Sequence, residues 1–183
     1  MEFLDAKNYK NEIKKLYRTA FPKNERAPLF LLFKRTNNGR DSFYAVSDNK
    51  EFVGLIYTIS TRKLTYVFFL AVKEEMRGKG YGSKILDKIK KDSVNKTVIL
   101  MIEDTEKEDC DNIKERLERL KFYEKNGFKK LMIKINEAGV DYELLGTQLN
   151  VTQADFLNLM KDYVGSLLFK YLYRKTILSQ QDK

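Results

Sequence analysis

Apolar positions first recur at helical spacing over residues 8–21, where "NYKNEIKKLYRTAF" places Ile13, Leu16, Tyr17 and Phe21 on one face. That spacing predicts a helix. Pro22 and Pro28 then bracket "PKNERAP", which reads as an ordered loop leading to a second, short helix. Its segment "PLFLLFKRTNNG" has Pro28 near the start and Asn38-Gly39 as the stop. The pattern then turns to strands. "DSFYAVSD" and "EFVGLIYTIST" are joined by the turn-like "SDNKE", and "KLTYVFFLAV" follows across a charged turn at Arg62-Lys63. Together they predict an antiparallel meander. The run from Tyr66 to Val72 is apolar at every alternation, which predicts a central strand covered on both faces.

Helical spacing returns in "YGSKILDKIKKD", with Ile85, Leu86 and Ile89 on one side and lysines on the other. "KTVILMIE" reads as a buried strand. "DNIKERLERLKFYEKNG" reads as a long amphipathic helix with Ile113, Leu117, Leu120 and Tyr123 inward and Gly127 as its stop. "FKKLMIKI" and "VDYELLG" form a closing pair of strands. After Gly146 the texture changes. "NVTQADFLNLMKDYVG" opens at a cap, Thr152, with Asp155 three residues on, and closes near Gly165. "SLLFKYLYRKTIL" fits helix and strand equally. A meander followed by strand–helix–strand–helix–strand predicts a mixed α/β layer fold rather than an all-parallel one. The expected division is a core over residues 1–146 and a C-terminal extension over 147–183, packed on or beside it.

Composition narrows the chemistry. The chain has 183 residues, enough for one domain with a small appendage. No apolar run approaches the roughly 18 residues needed to span a bilayer. The N-terminus, "MEFLDAKNYKNE", is polar and charged, so no secretory signal is expected. Cys110 is the sole cysteine, which excludes an internal disulfide and suits the cytoplasm. The net charge of +9 favours anionic ligands. The basic residues are spread along the chain and no nucleic-acid motif is present, so neither nucleic acid nor membrane is expected as a partner. There is no histidine. A Ser-His-Asp triad, a Cys-His pair and a histidine metal site are therefore excluded, and no metal is expected. Any general base must be Glu, Asp, Lys, Tyr or a held water.

Against that background "MRGKGYG", residues 76–82, stands out, because the whole chain has nine glycines and three of them are here. A buried strand precedes it and a helix follows near Tyr81. A helix start exposes unpartnered N–H groups and partial positive charge, both suited to an anion. Glycine permits positive φ and close approach of the backbone. Arg77, Lys79 and Lys84 add charge nearby. The spacing matches neither the P-loop G-x-x-x-x-G-K-[ST] nor the dinucleotide G-x-G-x-x-G.

"RGKGYG" instead resembles the R/Q-x-x-G-x-G/A motif of the GNAT superfamily of N-acetyltransferases, with Arg77, Gly80 and Gly82 at its fixed positions. Further on, "FYEKNGF", residues 122–128, resembles that family's later motif, a helix carrying a tyrosine before a Gly-Phe turn. The resemblance extends over residues 1–146. It implies a mixed α/β fold with a predominantly antiparallel sheet, a central parallel strand pair and helices on both faces. It also implies acetyl-coenzyme A (acetyl-CoA) as co-substrate, lying where the two parallel strands splay apart. Backbone groups of Leu70, Ala71 and Val72 would pair with the pantetheine amides. Amides of Arg77, Gly78, Lys79, Gly80, Tyr81, Gly82 and Ser83 would hold the pyrophosphate.

The same resemblance gives Tyr123 the role of protonating the departing coenzyme A thiolate. The reference pKa values of phenol and thiol, about 10 and 8.5, lie close enough for that transfer. Glu103 ends the strand "TVILMIE", where a carboxylate would take the amine's proton directly or through water, bind the substrate, or face solvent. Many relatives carry Asn seven residues before the tyrosine. Here Arg116 stands there, with Arg119 nearby, which leaves a phosphate contact or a solvent-facing side chain. Cys110 has no expected role as nucleophile. On the acceptor side, the family's first two helices and their loop point to Glu25 for an ammonium and Arg26 for a carboxylate or phosphate. The expected reaction is direct attack of a primary amine, of a small molecule or peptide, on the thioester. The alternative is a non-catalytic acyl-coenzyme A-binding module with a protein partner. Either a monomer or a homodimer fits.

Overall fold

The two spacings read from the sequence, near 3.6 and 2, become helices and strands with nearly the predicted bounds. The computed structural model describes residues 1–106 and 112–181. Cys110 lies outside the described residues. Contacts divide the chain into two compact units, residues 1–96 and 97–183.

In the first unit, α1 (Lys10–Ala20) buries Ile13, Leu16 and Tyr17 against β3 (Glu51–Ser60) and β4 (Leu64–Val72). The Tyr17 ring meets Phe21 at 5.2 Å and Phe69 edge-on at 5.0 Å. Its hydroxyl donates to the Ala27 carbonyl at 3.1 Å and so pins the loop between the prolines. That loop contains one 3-10 turn, Lys23–Glu25, before α2 (Leu29–Arg35) begins behind Pro28. A further 3-10 turn follows α2, and Gly39, at φ +73°, ends it in the left-handed conformation that asparagine or glycine supplies.

β2 (Asp41–Asp48), β3 and β4 form the predicted antiparallel meander. One strand was not predicted. β1 (Glu2–Asp5) pairs antiparallel with β2, Leu4 opposite Ala45. Four residues are too few to show an alternation, so only the pairing edge of β2 makes them a strand. The prediction that β4 is covered on both faces holds only for its first half. Leu64 to Val67 are buried, whereas Phe68, Leu70 and Val72 are half-buried. α3 (Tyr81–Asp92) buries Ile85, Leu86 and Ile89, as its period predicts, and packs on β4.

In the second unit, β7 (Val140–Gly146) lies between β5 (Thr97–Glu103) and β6 (Lys129–Glu137), antiparallel to both. α4 (Ile113–Lys125) packs on β5 and buries Leu120. Leu117, expected inward, is 41% exposed. A run of period 3.6 marks a stripe wider than the contact that the neighbouring strand makes. α5 (Gln153–Val164) starts at the predicted cap, where Thr152 and Asp155 satisfy each other's backbone N–H groups. The ambiguous segment after Gly165 is helical, as α6 (Ser166–Leu172) and α7 (Arg174–Gln181). These helices are tied to β6 and its turn. The Thr176 hydroxyl accepts from Asn136 N at 2.7 Å, and Ala138 N donates to the Leu172 carbonyl at 2.7 Å.

The whole is a mixed α/β fold with predominantly antiparallel strand pairing, as predicted. No helix among the described residues is long and apolar enough to cross a membrane.

Candidate functional site

The glycine cluster forms a cradle for two separate reasons. Gly78 and Gly80 adopt φ +74° and +79°, a region that side chains with Cβ rarely enter. Gly80 is also the N-cap of α3, and no side chain caps that helix. The first-turn N–H groups therefore keep their capacity for an outside acceptor. A Cβ built on Gly78 or Gly80 meets no atom within 4 Å beyond the adjoining residues, so the space in front of the backbone is open. Gly82 lies inside α3 and has no left-handed φ, so conformation requires only two of the three glycines.

The side chains around the cradle divide into committed and uncommitted groups. The Tyr81 hydroxyl donates to Asp48 Oδ2 at 2.8 Å, and the neighbouring carboxylate raises the phenol above its ordinary value. Asp48 Oδ1 holds the N-terminal ammonium at 2.9 Å. The Tyr81 hydroxyl proton is therefore already committed. Arg77 Nε reaches back to the Val72 carbonyl at 3.4 Å and links the loop to the end of β4. Lys79 Nζ sits 3.7 Å from Met76 Sδ, and Lys84 lies over the Tyr81 ring at 5.2 Å. Among the described residues none of these three cations is in a salt bridge. Ser83 is half-buried in the first turn of α3.

β4 reaches the cradle through a bulge that sequence patterning missed. Tyr57 pairs with Phe69 but Thr58 pairs with Val67, leaving Phe68 as the extra residue. A bulge bends and twists its strand and re-aims the residues beyond it, here Phe69 to Val72. The opposing strand is fitted to that segment. Gly54 lies opposite Val72, and a Cβ on Gly54 would stand 2.3 Å from the Ala71 carbonyl oxygen. A lone glycine within an apolar strand is the signal that points to such a close approach. Gly54→Ala should lower stability by about 1–3 kcal/mol, the usual cost of overpacking. Thermal unfolding checks this, and an unchanged midpoint would show that β4 relaxes freely.

In the second unit Glu103 is neither free nor solvent-facing. Its side chain is 13% exposed and its Oε1 accepts from Arg116 at 2.9 Å, while Oε2 accepts from Arg119 at 3.2 Å. Asn112 Nδ2 donates to the same carboxylate at 3.3 Å. Arg116 further donates to Asn112 Oδ1 at 2.8 Å and to the Asp104 carbonyl at 2.9 Å. Arg116 is therefore not solvent-facing, because its guanidinium is bonded within the unit to the strand end. Glu103 and Arg116 are thirteen positions apart, and nothing in local patterning announces their pairing.

Tyr123 lies one turn beyond Arg119 on α4. Its ring is half-buried, 5.1 Å from Phe122 and 5.8 Å edge-on from Phe128. Burial pushes its phenol above the ordinary value, and the Arg119 charge opposes that in part. The phenol is therefore protonated at neutral pH, as an ordinary phenol also is. The "FYEKNGF" motif closes the helix behind it. Gly127 turns left-handed at φ +83°, and Phe128 N donates to the Tyr123 carbonyl at 3.1 Å. Arg119 thus bridges the two named residues of this unit, bonded to Glu103 and acting on Tyr123.

On the loop between α1 and α2, Arg26 lines a pocket of about 730 Å³, and Glu25 is not among the lining residues.

The strand, uncapped helix start and tyrosine helix together describe a recognised family. The acetyltransferase (GNAT) domain family matches residues 39–130, half of the chain, and the chain belongs to that family. Among solved structures it is similar to a GNAT-family protein from Bacteroides thetaiotaomicron, with TM-score 0.71 and 16% identity over 92% of this chain and 98% of that one. It is also similar to an aminoglycoside 6'-N-acetyltransferase complexed with coenzyme A, with TM-score 0.62 and 17% identity over 83% and 99%. A third is Arabidopsis thaliana Naa50 in complex with the bisubstrate analogue CoA-Ac-MVNAL, with TM-score 0.61 and 18% identity over 80% and 96%. At these identities the likeness shows the fold. No protein with a curated description matches the chain by sequence.

Proposed function

We propose that the protein is an acetyl-coenzyme A-dependent N-acetyltransferase that acetylates a primary amine by direct attack. The observation that carries this reading is the uncapped start of α3 behind two left-handed glycines, at the end of a bulged strand. Backbone N–H groups over Arg77 to Ser83 hold the pyrophosphate of the co-substrate. Leu70, Ala71 and Val72 supply backbone partners to its pantetheine arm. An N–H near Val72 polarises the acetyl carbonyl.

The amine nitrogen attacks the thioester carbon, the C–S bond breaks, and the thiolate takes its proton from the Tyr123 phenol. Tyr123 suits that role because its phenol is protonated at neutral pH and therefore carries the proton to be given. The proton lost by the amine goes to Glu103 through a water. A relay fits because both Glu103 oxygens already accept from guanidinium groups, and a carboxylate retains further lone pairs. Glu25 and Arg26 belong to the acceptor side in this reading, and residues 147–183 are an extension on a core of residues 1–146. A location in the cytoplasm is supported by a lone cysteine in 183 residues.

Incubating the purified chain with acetyl-coenzyme A and a panel of amines, while following free thiol and acetylated product, tests the reading. Amine-dependent thiol release is expected. Coenzyme A binding with no turnover on any amine would instead mark a non-catalytic acyl-coenzyme A-binding module, and absence of both would overturn the proposal.

A further inference from the structure

The pocket at α1 and α2 has a composition that its own stability does not explain. Lys10, Lys14 and Arg18 follow one another at four-residue spacing along α1, so three cations form a row on one helix face. Like charges at that spacing destabilise a helix by roughly 0.2–0.5 kcal/mol per pair. Lys23 and Arg26 face the same space from the loop. None of these five cations is in a salt bridge among the described residues, and no Asp or Glu lines the pocket. Arg26 Nε is buried and makes no hydrogen bond. A buried charged donor without an acceptor is costly, and an arriving anion removes that cost.

The remaining lining is apolar and aromatic, from Tyr17, Leu29, Phe30 and Phe33. Phe30 is 69% exposed, and Lys10 Nζ stands 5.9 Å from the Phe33 ring centre. A volume near 730 Å³ falls within the range of small-molecule sites, about 300–1,000 Å³. The pocket also shares a wall with the strand end assigned to the thioester. Tyr17 lines it, and the same ring packs on Phe69, the residue before Leu70.

Resting on the acetyltransferase reading, we infer that the acceptor is an anionic amine. It is a small molecule whose carboxylate or phosphate is held by Lys14, Arg18 and Arg26, with its apolar part against Phe30 and Phe33. A polyamine would meet five like charges there. Carboxylate and phosphate share the chemistry that guanidinium and ammonium groups recognise.

The test uses the full chain and the double variant Lys14→Glu/Arg18→Glu, both positions being exposed. Binding of phenyl phosphate, 3-phenylpropionate and benzylamine is titrated without co-substrate. At least one anion should bind the wild type, benzylamine should not, and the double variant should lose about tenfold or more in anion affinity, the scale of one charge-assisted hydrogen bond. Acetyl transfer is then compared across anionic, neutral and cationic amines. Anionic amines should have the highest kcat/KM, and the variant should reverse that order while binding coenzyme A as the wild type does. Equal anion affinity in both proteins overturns the inference. So does a fall in coenzyme A affinity in the variant, which would make the pocket a co-substrate phosphate site. So does binding of DNA in preference to the small anions. Anion binding lost in the variant, with no acetyl transfer to any amine, would leave the anion pocket standing and sink the acetyltransferase reading instead.

Discussion

Gly80→Val should abolish measurable coenzyme A binding. Two effects act at that position. The backbone sits at φ +79°, where a β-branched residue is a steric outlier. The side chain would also stand in the open space before the α3 N-terminus, where no atom beyond the adjoining residues lies within 4 Å of a built Cβ. The first effect strains the start of α3, and the second fills the volume assigned to the pyrophosphate. Gly80→Asn separates them, because asparagine tolerates left-handed backbone at little cost. The Asn variant should keep a melting temperature close to wild type and still lose coenzyme A affinity by about 100-fold, a change of roughly 3 kcal/mol. Calorimetric titration with coenzyme A reads the affinity. Wild-type affinity in a folded Gly80→Val protein would contradict the cradle.

Tyr123→Phe should lower kcat by roughly 10²–10⁴-fold, the usual contribution of a positioned acid or base. The KM for acetyl-coenzyme A should change little, because no part of the cradle depends on the hydroxyl. The pH profile carries a second signature. The phenol donates only while protonated, and burial raises its pKa despite the opposing charge of Arg119. The alkaline fall in kcat should therefore lie above the ordinary phenol value of about 10, and it should vanish in the Phe variant. The ring packing against Phe122 and Phe128 survives the substitution, so stability should hold. Unchanged turnover would remove Tyr123 from the mechanism and make it a packing residue of α4.

Both predictions concern residues singled out in the sequence, Tyr123 through the family resemblance of its motif and Gly80 also through local conformation. A left-handed backbone position admits few residue types, so Gly78, Gly80 and Gly127 announce local geometry without any partner. Amphipathic period does the same for α1 and α3, and the Thr152–Asp155 box for the start of α5. The features that stayed hidden depend on a distant partner. β1 is a strand because β2 offers an edge. Gly54 matters because the Ala71 carbonyl approaches it, and Phe68 is a bulge because Thr58 pairs past it. Leu117 is exposed although its spacing places it inward.

Charge shows the same division. Composition established a basic chain without histidine, and so restricted the acid and base chemistry to carboxylate, amine, phenol and water. It did not say which cations are spent and which are free. Arg116 is consumed by Glu103 and the Asp104 carbonyl, whereas Lys14, Arg18 and Arg26 meet across a pocket with no carboxylate. Local conformational rules and periodicity are properties of a few neighbouring residues, so the order of residues was enough for most of the elements, the cradle glycines and the tyrosine helix. Pairing register, burial and the fate of each charge are set by groups far apart in the chain, and they emerge only once it has folded.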